Sequence, residues 1–305
     1  MASTDTAPVL SSSLDLAGVA LLVGGMSLAA FNGALMKLLA VDMSEWMIVW
    51  ARYFGFFFVM LPFVLMRCGR AALHPVRPLL QVFRALSIAT ATVAFVAGAR
   101  TMNYAEAIAI LYIYPFILTL LAPIFLKEPV PGVAWFGVIG GFSGVLVVMR
   151  PDIFALERDA LLVLLCGTMV ACHLLFNRKL APLSDPLITS MWGALIAMLA
   201  LSTTLPWAWQ TPSTSQLWLL LAIAGTSAIS QSMILYAFAR APAPTLAPFT
   251  YMEIVAAIGI AWLMFGTIPD GVAWIGMGLI VASGLLVAQA PRLGAWVTKR
   301  RHPAV

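Results

Sequence analysis

The sequence predicts an all-α integral membrane protein, built as ten transmembrane helices in two inverted five-helix repeats. Three observations carry that prediction. Of 305 residues, 62% are hydrophobic and only 10% charged, with a mean hydropathy of +1.00; soluble domains run at about 45–50% apolar and about 25% charged. The apolar residues gather into ten runs, each about as long as a bilayer core requires. Loop lengths and short sequence blocks then recur between the first five runs and the last five.

Span 1 (16–40) is preceded by Asp5 and Asp15 rather than by basic residues, and it is longer than the core of a secretion signal, so it reads as a retained helix. A short loop leads to span 2 (45–66), and a basic loop leads on to span 3 (79–99). Span 4 (105–126) carries Pro115 in its middle, and span 5 (132–149) is glycine-rich. Spans 6 (160–177), 7 (187–205), 8 (217–238), 9 (244–265) and 10 (271–290) complete the set. The first repeat thus covers 16–149 and the second 160–290, with tails 1–15 and 291–305. The longest loop has 12 residues, too few for an ATPase or any soluble catalytic module. Continuous rather than alternating apolar runs argue against a β-barrel.

Lys and Arg fix the orientation. One side collects 11 of them, including Arg67, Arg70, Arg77, Lys127, Arg178, Lys179, Arg240 and Lys299; the other side has Arg100, Arg150 and Arg158. Both termini belong to the basic side, which places them in the cytoplasm. Trp46, Trp207, Trp209, Trp218, Trp262 and Trp274 then fall near the outer interface as an aromatic belt. The net charge of +5 follows from this asymmetry and not from a nucleic-acid face. Cys68, Cys166 and Cys172 form no metal or disulfide pattern and read as apolar fillers.

Gly132-Val133-Ala134-Trp135 recurs as Gly271-Val272-Ala273-Trp274, Ser143-Gly144 as Ser283-Gly284, and Ala99-Arg100 as Ala239-Arg240. Because five is odd, the second copy enters the membrane from the opposite side. Inverted repeats of this kind place a site near the midplane between the halves.

Arg100 after a small residue, Pro115 in mid-helix, Glu128 closing span 4 and glycine-rich span 5 ending at Gly144 together resemble the EamA-type repeat of the drug/metabolite transporter superfamily. The second copy, Tyr236 to Val287, keeps Arg240 and a glycine-rich span 10. It departs at Glu253, near the mid-helix proline position, and at Thr267, where the loop glutamate would stand. The resemblance implies a carrier of small metabolites with spans 1–4 and 6–9 around a central cavity and spans 5 and 10 at the periphery. It also implies the inner membrane of a bacterium. In texture the chain looks most like bacterial amino-acid exporters, those for aromatic amino acids included. The implied partners are an amino-acid substrate and the bilayer, with no nucleic acid, cofactor or metal; monomer and homodimer both stay open.

Ionisable groups inside a bilayer are costly, so each is a functional candidate. Glu253 lies near the midplane of span 9, either contacting a substrate amine, coupling protons, or bracing two helices. Arg84, in the inner part of span 3, either meets a substrate carboxylate or snorkels to the inner headgroups. Lys37 ends span 1 on the outer side. Arg52 and Glu106, both in the outer half, are candidates for a gate, paired with each other or with Lys37. His173 and Asn177 share a face of span 6. Asn32 on span 1 and Ser227, Ser230 and Gln231 on one face of span 8 suit either a zwitterion or interhelical glue. Pro115 and Pro248 each remove a backbone hydrogen bond, and such breaks line cavities in transporters. Tyr112 and Tyr114 flank the first break on roughly opposite sides of span 4, and Tyr251 joins the substrate or coupling set. Gly140 and Gly144 form a close-packing pair echoed by Gly278 and Ala282.

The leading expectation is an alternating-access exporter of amino acids. A carrier for another metabolite, such as S-adenosylmethionine or a nucleobase, and a channel-like facilitator are the alternatives. No P-loop pattern occurs to supply nucleotide energy, and His74, His173 and His302 lack the HExxH spacing of a zinc protease, so no enzyme is expected.

Overall fold

The computed structural model describes residues 16–125, 130, 132–149, 158–241 and 246–301. Glu128, Lys127, Arg150 and the N-terminal tail lie outside the described residues. Among those described, nine helices are long and apolar enough to cross a membrane, and a tenth, shorter apolar helix supplies span 7. No strand occurs among them.

Span 1 is Leu16–Leu39, span 2 Glu45–Cys68, span 3 Pro78–Ala99, span 5 Gly132–Met149, span 6 Arg158–Leu180 and span 8 Thr214–Arg240. Their ends follow local chemistry. Pro78 opens span 3 at its first turn, behind Arg77 in the left-handed region at φ 50°. Ser213 and Gln216 form a reciprocal capping box at the head of span 8. Span 7 runs only from Pro186 to Ser202, about 26 Å at the usual helical rise. Asp185 caps its start by accepting the Leu187 N–H. Thr203 and Thr204 end it by returning their hydroxyls to the carbonyls of Ala200 and Leu201. The last helix, Gly271–Arg301, continues past the predicted end at 290.

Two spans are broken. Span 4 is a helix over Tyr104–Leu111, a break at Tyr112 and Ile113, and a second helix over Tyr114–Phe125. Pro115 has no N–H to return to Leu111, so the ladder fails there. Span 9 begins as a 3₁₀ turn, Ala247–Tyr251, holding Pro248, and becomes α-helical over Met252–Phe265. It ends at Gly266, φ 64°, where the Gly266 and Thr267 N–H groups close back on Trp262 and Ala261.

The packing follows a two-fold pattern. Span 1 packs on span 8 as span 6 packs on span 3. Span 1 meets span 9 as span 6 meets span 4, and span 2 meets span 8 as span 7 meets span 3. Span 2 packs on span 7, and span 5 on span 10. The extensive contacts therefore join one repeat to the other.

Spans 5 and 10 approach through glycine. A Cβ on Gly144 would lie 2.9 Å from the Gly276 carbonyl oxygen, and one on Gly276 would lie 2.9 Å from that of Gly144. Gly137 and Gly140 close on Ser283 in the same way. The expected echo at Gly278 and Ala282 is therefore corrected. Nothing lies within 4 Å of a Cβ on Gly278, and Ala282 is exposed. The seam of span 10 runs through Gly276, Ile280, Ser283 and Val287, a helical stripe two residues (some 200°) away from Gly278. All six predicted belt tryptophans are exposed.

Candidate functional site

The two helix breaks meet. The Tyr112 hydroxyl oxygen, at the break of span 4, lies 2.5 Å from the Thr250 carbonyl oxygen and 2.8 Å from Glu253 Oε2, both at the break of span 9. Glu253 stands in the first turn of the helix that starts at Met252, where the helix dipole favours negative charge. Tyr112 is fully buried, and its ring lies 5.3 Å from that of Tyr114 and 5.2 Å from that of Tyr251. The expectation that Tyr112 and Tyr114 point to opposite sides is thus corrected. The backbone leaves the α-helical path at Tyr112, so two positions no longer subtend 200°. Glycine makes room for both halves of this cluster: a Cβ on Gly284 would fall on the Tyr251 hydroxyl, and one on Gly167 would lie 2.8 Å from the Leu111 carbonyl beside the break.

Arg52 on span 2 bonds to hydroxyls of spans 8 and 3. Its Nε donates to Ser227 Oγ at 2.9 Å and its Nη1 to Thr92 Oγ1 at 3.2 Å, and its guanidinium lies 5.4 Å from the Tyr53 ring centre. Tyr53 in turn bonds Thr92 and the Ile88 carbonyl. Cys166 on span 6 is buried, next to Gly167 at the break of span 4. Asn32 donates to the Ile223 carbonyl and to Thr226 Oγ1, each at 2.7 Å, tying span 1 to span 8. Ser230 ties the same pair through the Gly25 carbonyl. Ser227 is buried under Arg52 and Ser230 against the Gly25 carbonyl, whereas Gln231, about 40° round the helix from Ser227 and about 100° from Ser230, is exposed.

Lys37 gives its ammonium donors to the carbonyls of Ala99 (2.5 Å), Met102 (2.7 Å) and Arg100 (3.2 Å). That is a cation capping the C-terminal end of span 3. Glu106 sits in the first turn of span 4, behind the Asn103 cap. Of the candidate outer-gate residues, Arg52 bonds hydroxyls, Lys37 bonds carbonyls and Glu106 stands at a helix start.

Arg84 does not snorkel. It is 4% exposed and turns inward, onto Gln81, Asn177 and the Thr189 carbonyl. Asn177 Nδ2 lies 2.9 Å from His173 Nε2, and His173 Nδ1 lies 3.0 Å from the Arg84 carbonyl. The amide donates to Nε2, leaving the neutral ring to donate through Nδ1. Cys68, Cys166 and Cys172 are free thiols. Among the described residues, no group of three or more His, Cys, Asp or Glu is placed to hold a metal.

Broken spans meeting at an acid, inside a two-fold bundle, are the architecture of secondary carriers. The profile of the EamA-like transporter family matches residues 16–150 and again 158–289. The chain belongs to this family. A riboflavin transporter of Rhizobium johnstonii is 29% identical over 243 residues, 78% of each chain. An S-adenosylmethionine uptake transporter of Rickettsia prowazekii is 25% identical over 260 residues, 85% of this chain and 88% of the relative. A crystal structure at 15% identity superposes with a TM-score of 0.64, covering 90% of this chain and 98% of the other; it supports the fold alone.

Several polar residues of this EamA-like bundle escape sequence reasoning: Gln81, Thr92, Tyr53, Thr189 and the Thr250 carbonyl. Gln81 had a readable signal, since it stands three residues before Arg84 and so shares its face. Thr92 and Thr189 had none, because a threonine in an apolar span usually returns its hydroxyl to its own helix.

Proposed function

We infer that the chain is an alternating-access carrier for small metabolites bearing both an ammonium and a carboxylate, with S-adenosylmethionine as the lead candidate. One observation carries the reading: two side chains of opposite charge are held by hydroxyls inside the bundle, one from each repeat, Glu253 by Tyr112 where the broken spans meet and Arg52 by Ser227 and Thr92. In this reading Glu253 takes the ammonium, Arg52 the carboxylate, and Tyr112, Tyr114 and Tyr251 the aromatic portion. Amino acids share the same two charges, which keeps aromatic amino acids in the panel. The name of the Rickettsia relative supports uptake rather than the expected export. The positive-inside count supports an inner membrane with both termini in the cytoplasm.

Proton counting supports a second role for Glu253. A tyrosine has one hydroxyl proton and an ionised carboxylate has none to offer. The Tyr112 oxygen nevertheless touches two acceptors, Thr250 O and Glu253 Oε2. Both contacts become full hydrogen bonds only when the carboxyl group brings a proton of its own. Glu253 is then the group that exchanges a proton for the substrate's cation. Riboflavin is the second reading, favoured by the Rhizobium relative and the three-tyrosine cluster.

Counterflow in proteoliposomes decides between them. Labelled S-adenosylmethionine, riboflavin and aromatic amino acids are offered against an internal pool of each. Saturable exchange of S-adenosylmethionine but not riboflavin is the expected result. Exchange of riboflavin alone overturns the two-charge reading, and non-saturable flux overturns the carrier.

A further inference from the structure

The inner half of the bundle holds a buried cation whose described partners are all neutral. Arg84 on span 3 donates through Nε to Gln81 Oε1 at 3.1 Å, through Nη1 to Asn177 Oδ1 at 3.3 Å, and through Nη2 to the Thr189 carbonyl. His173, which packs behind it, is held neutral by its two contacts. The nearest acid on span 7, Asp185, is committed to its own helix: Oδ1 accepts the Leu187 N–H at 2.8 Å. A guanidinium carries five N–H groups, so two remain beyond these three bonds.

Gln81 supplies a second, independent sign. It is 0% exposed, and its Nε2 has no partner among the described residues. Buried amide donors are almost always bonded, so one left open beside a cation marks a place made for an acceptor. Gln81 and Arg84 are three residues apart and share one face of span 3. Span 7 leaves space for the guanidinium by placing Gly193 against it; a Cβ there would lie 2.3 Å from Nη2.

The geometry points to an anion-binding site at Arg84 and Gln81, on the inner side of spans 3, 6 and 7, for a carboxylate or phosphate group. The planar fork of Arg84 matches two oxygens of such an anion, and Gln81 Nε2 supplies a further donor. The site is distinct from the Glu253 cluster and stands whichever metabolite the carrier moves. Its occupant is either the anionic end of the substrate on the cytoplasmic side or a free anion from that compartment.

Thermal melting of the purified full chain in detergent tests it, with sodium acetate or inorganic phosphate replacing chloride at matched ionic strength and pH. The wild-type melting temperature is expected to rise saturably with either probe. Gln81→Glu places a carboxylate against Arg84, so this variant is expected to melt higher in chloride and to ignore both probes. Gln81→Leu removes the open donor and is expected to fold and to weaken the probe response about tenfold, the loss of one hydrogen bond to a charged group. A wild-type protein indifferent to both probes, or a Gln81→Glu variant that still responds, overturns the site. Counterflow then separates the two sources. If the occupant is the substrate, Gln81→Glu raises half-saturation for a carboxylate-bearing substrate and spares its decarboxylated analogue. If it is a free anion, phosphate shifts half-saturation for both analogues in the wild type and for neither in Gln81→Glu. Because melting needs no transport, its result stands apart from the fate of the two-charge reading.

Discussion

Glu253→Gln is the substitution on which the coupling argument turns. The glutamine side chain has the size of a protonated glutamate and carries N–H donors of its own. Its amide donates to the Tyr112 oxygen while the Tyr112 hydroxyl keeps the Thr250 carbonyl, so both contacts at 2.5 and 2.8 Å survive. Stability is expected to change by under ~1 kcal/mol, the scale of one exchanged neutral bond. Tyr112→Phe is the contrasting case. It strips away the hydroxyl that bonds both groups and is expected to cost about 1–3 kcal/mol by leaving the Thr250 carbonyl and the Glu253 carboxyl group unmet. Transport reverses the ranking. A pH gradient of one unit is worth about 1.36 kcal/mol, or tenfold in concentration, for each proton exchanged per substrate. Proteoliposomes with a one-unit gradient are expected to accumulate substrate up to about tenfold with the wild-type chain. With Glu253→Gln they should only equilibrate it. Accumulation retained in that variant would refute proton exchange at this carboxyl group. A variant that melts as low as Tyr112→Phe would refute the proton count behind it.

Other substitutions probe the frame. Gly144→Val pushes side-chain atoms against the Gly276 carbonyl and the Ile280 backbone, which cannot swing aside, so a loss of about 1–3 kcal/mol in detergent melting is expected. Gly278→Ala, with open space around it, should melt at or slightly above the wild type, and equal losses at the two positions would contradict the register of the seam. Lys37→Met removes the cap from three carbonyls at the outer end of span 3 and should cost about 1–2 kcal/mol. Pro115→Ala returns an N–H to span 4 and lets it straighten toward Leu111; the expected outcome is a folded chain with sharply reduced counterflow, and undiminished flux would show that the break is dispensable.

The spans were legible in the sequence because continuous apolar runs have no competing explanation at this length. The repeat was legible in its loop lengths and in blocks such as Ser143-Gly144 and Ser283-Gly284. The break at Tyr112 was half legible. Pro115 announces a lost hydrogen bond, but not that the backbone would fold Tyr112 and Tyr114 onto each other. Glu253 stood out as an acid in an apolar span, whereas its partner Tyr112 could be named only as a candidate, since hydrophobic patterning does not register a phenol. Gln231 shows the opposite error. A polar side chain was credited with the buried face of its neighbour Ser230, and only the direction from which span 1 arrives settles which of the two is covered. The same limit hid the seam of span 10: glycines at 276 and 278 look alike in sequence, and one is a contact while the other faces open space.

The cross-repeat packing has a consequence for synthesis. Span 5 emerges early and its extensive partner, span 10, only after spans 6 to 9 have been made. The glycine face of Gly137, Gly140 and Gly144 must therefore wait in lipid while the second half of the chain is inserted. Lipid tails offer that face no hydrophobic penalty, which is why such a delay is tolerable. A chain truncated before residue 271 would leave it permanently uncovered, available to the same face of another molecule.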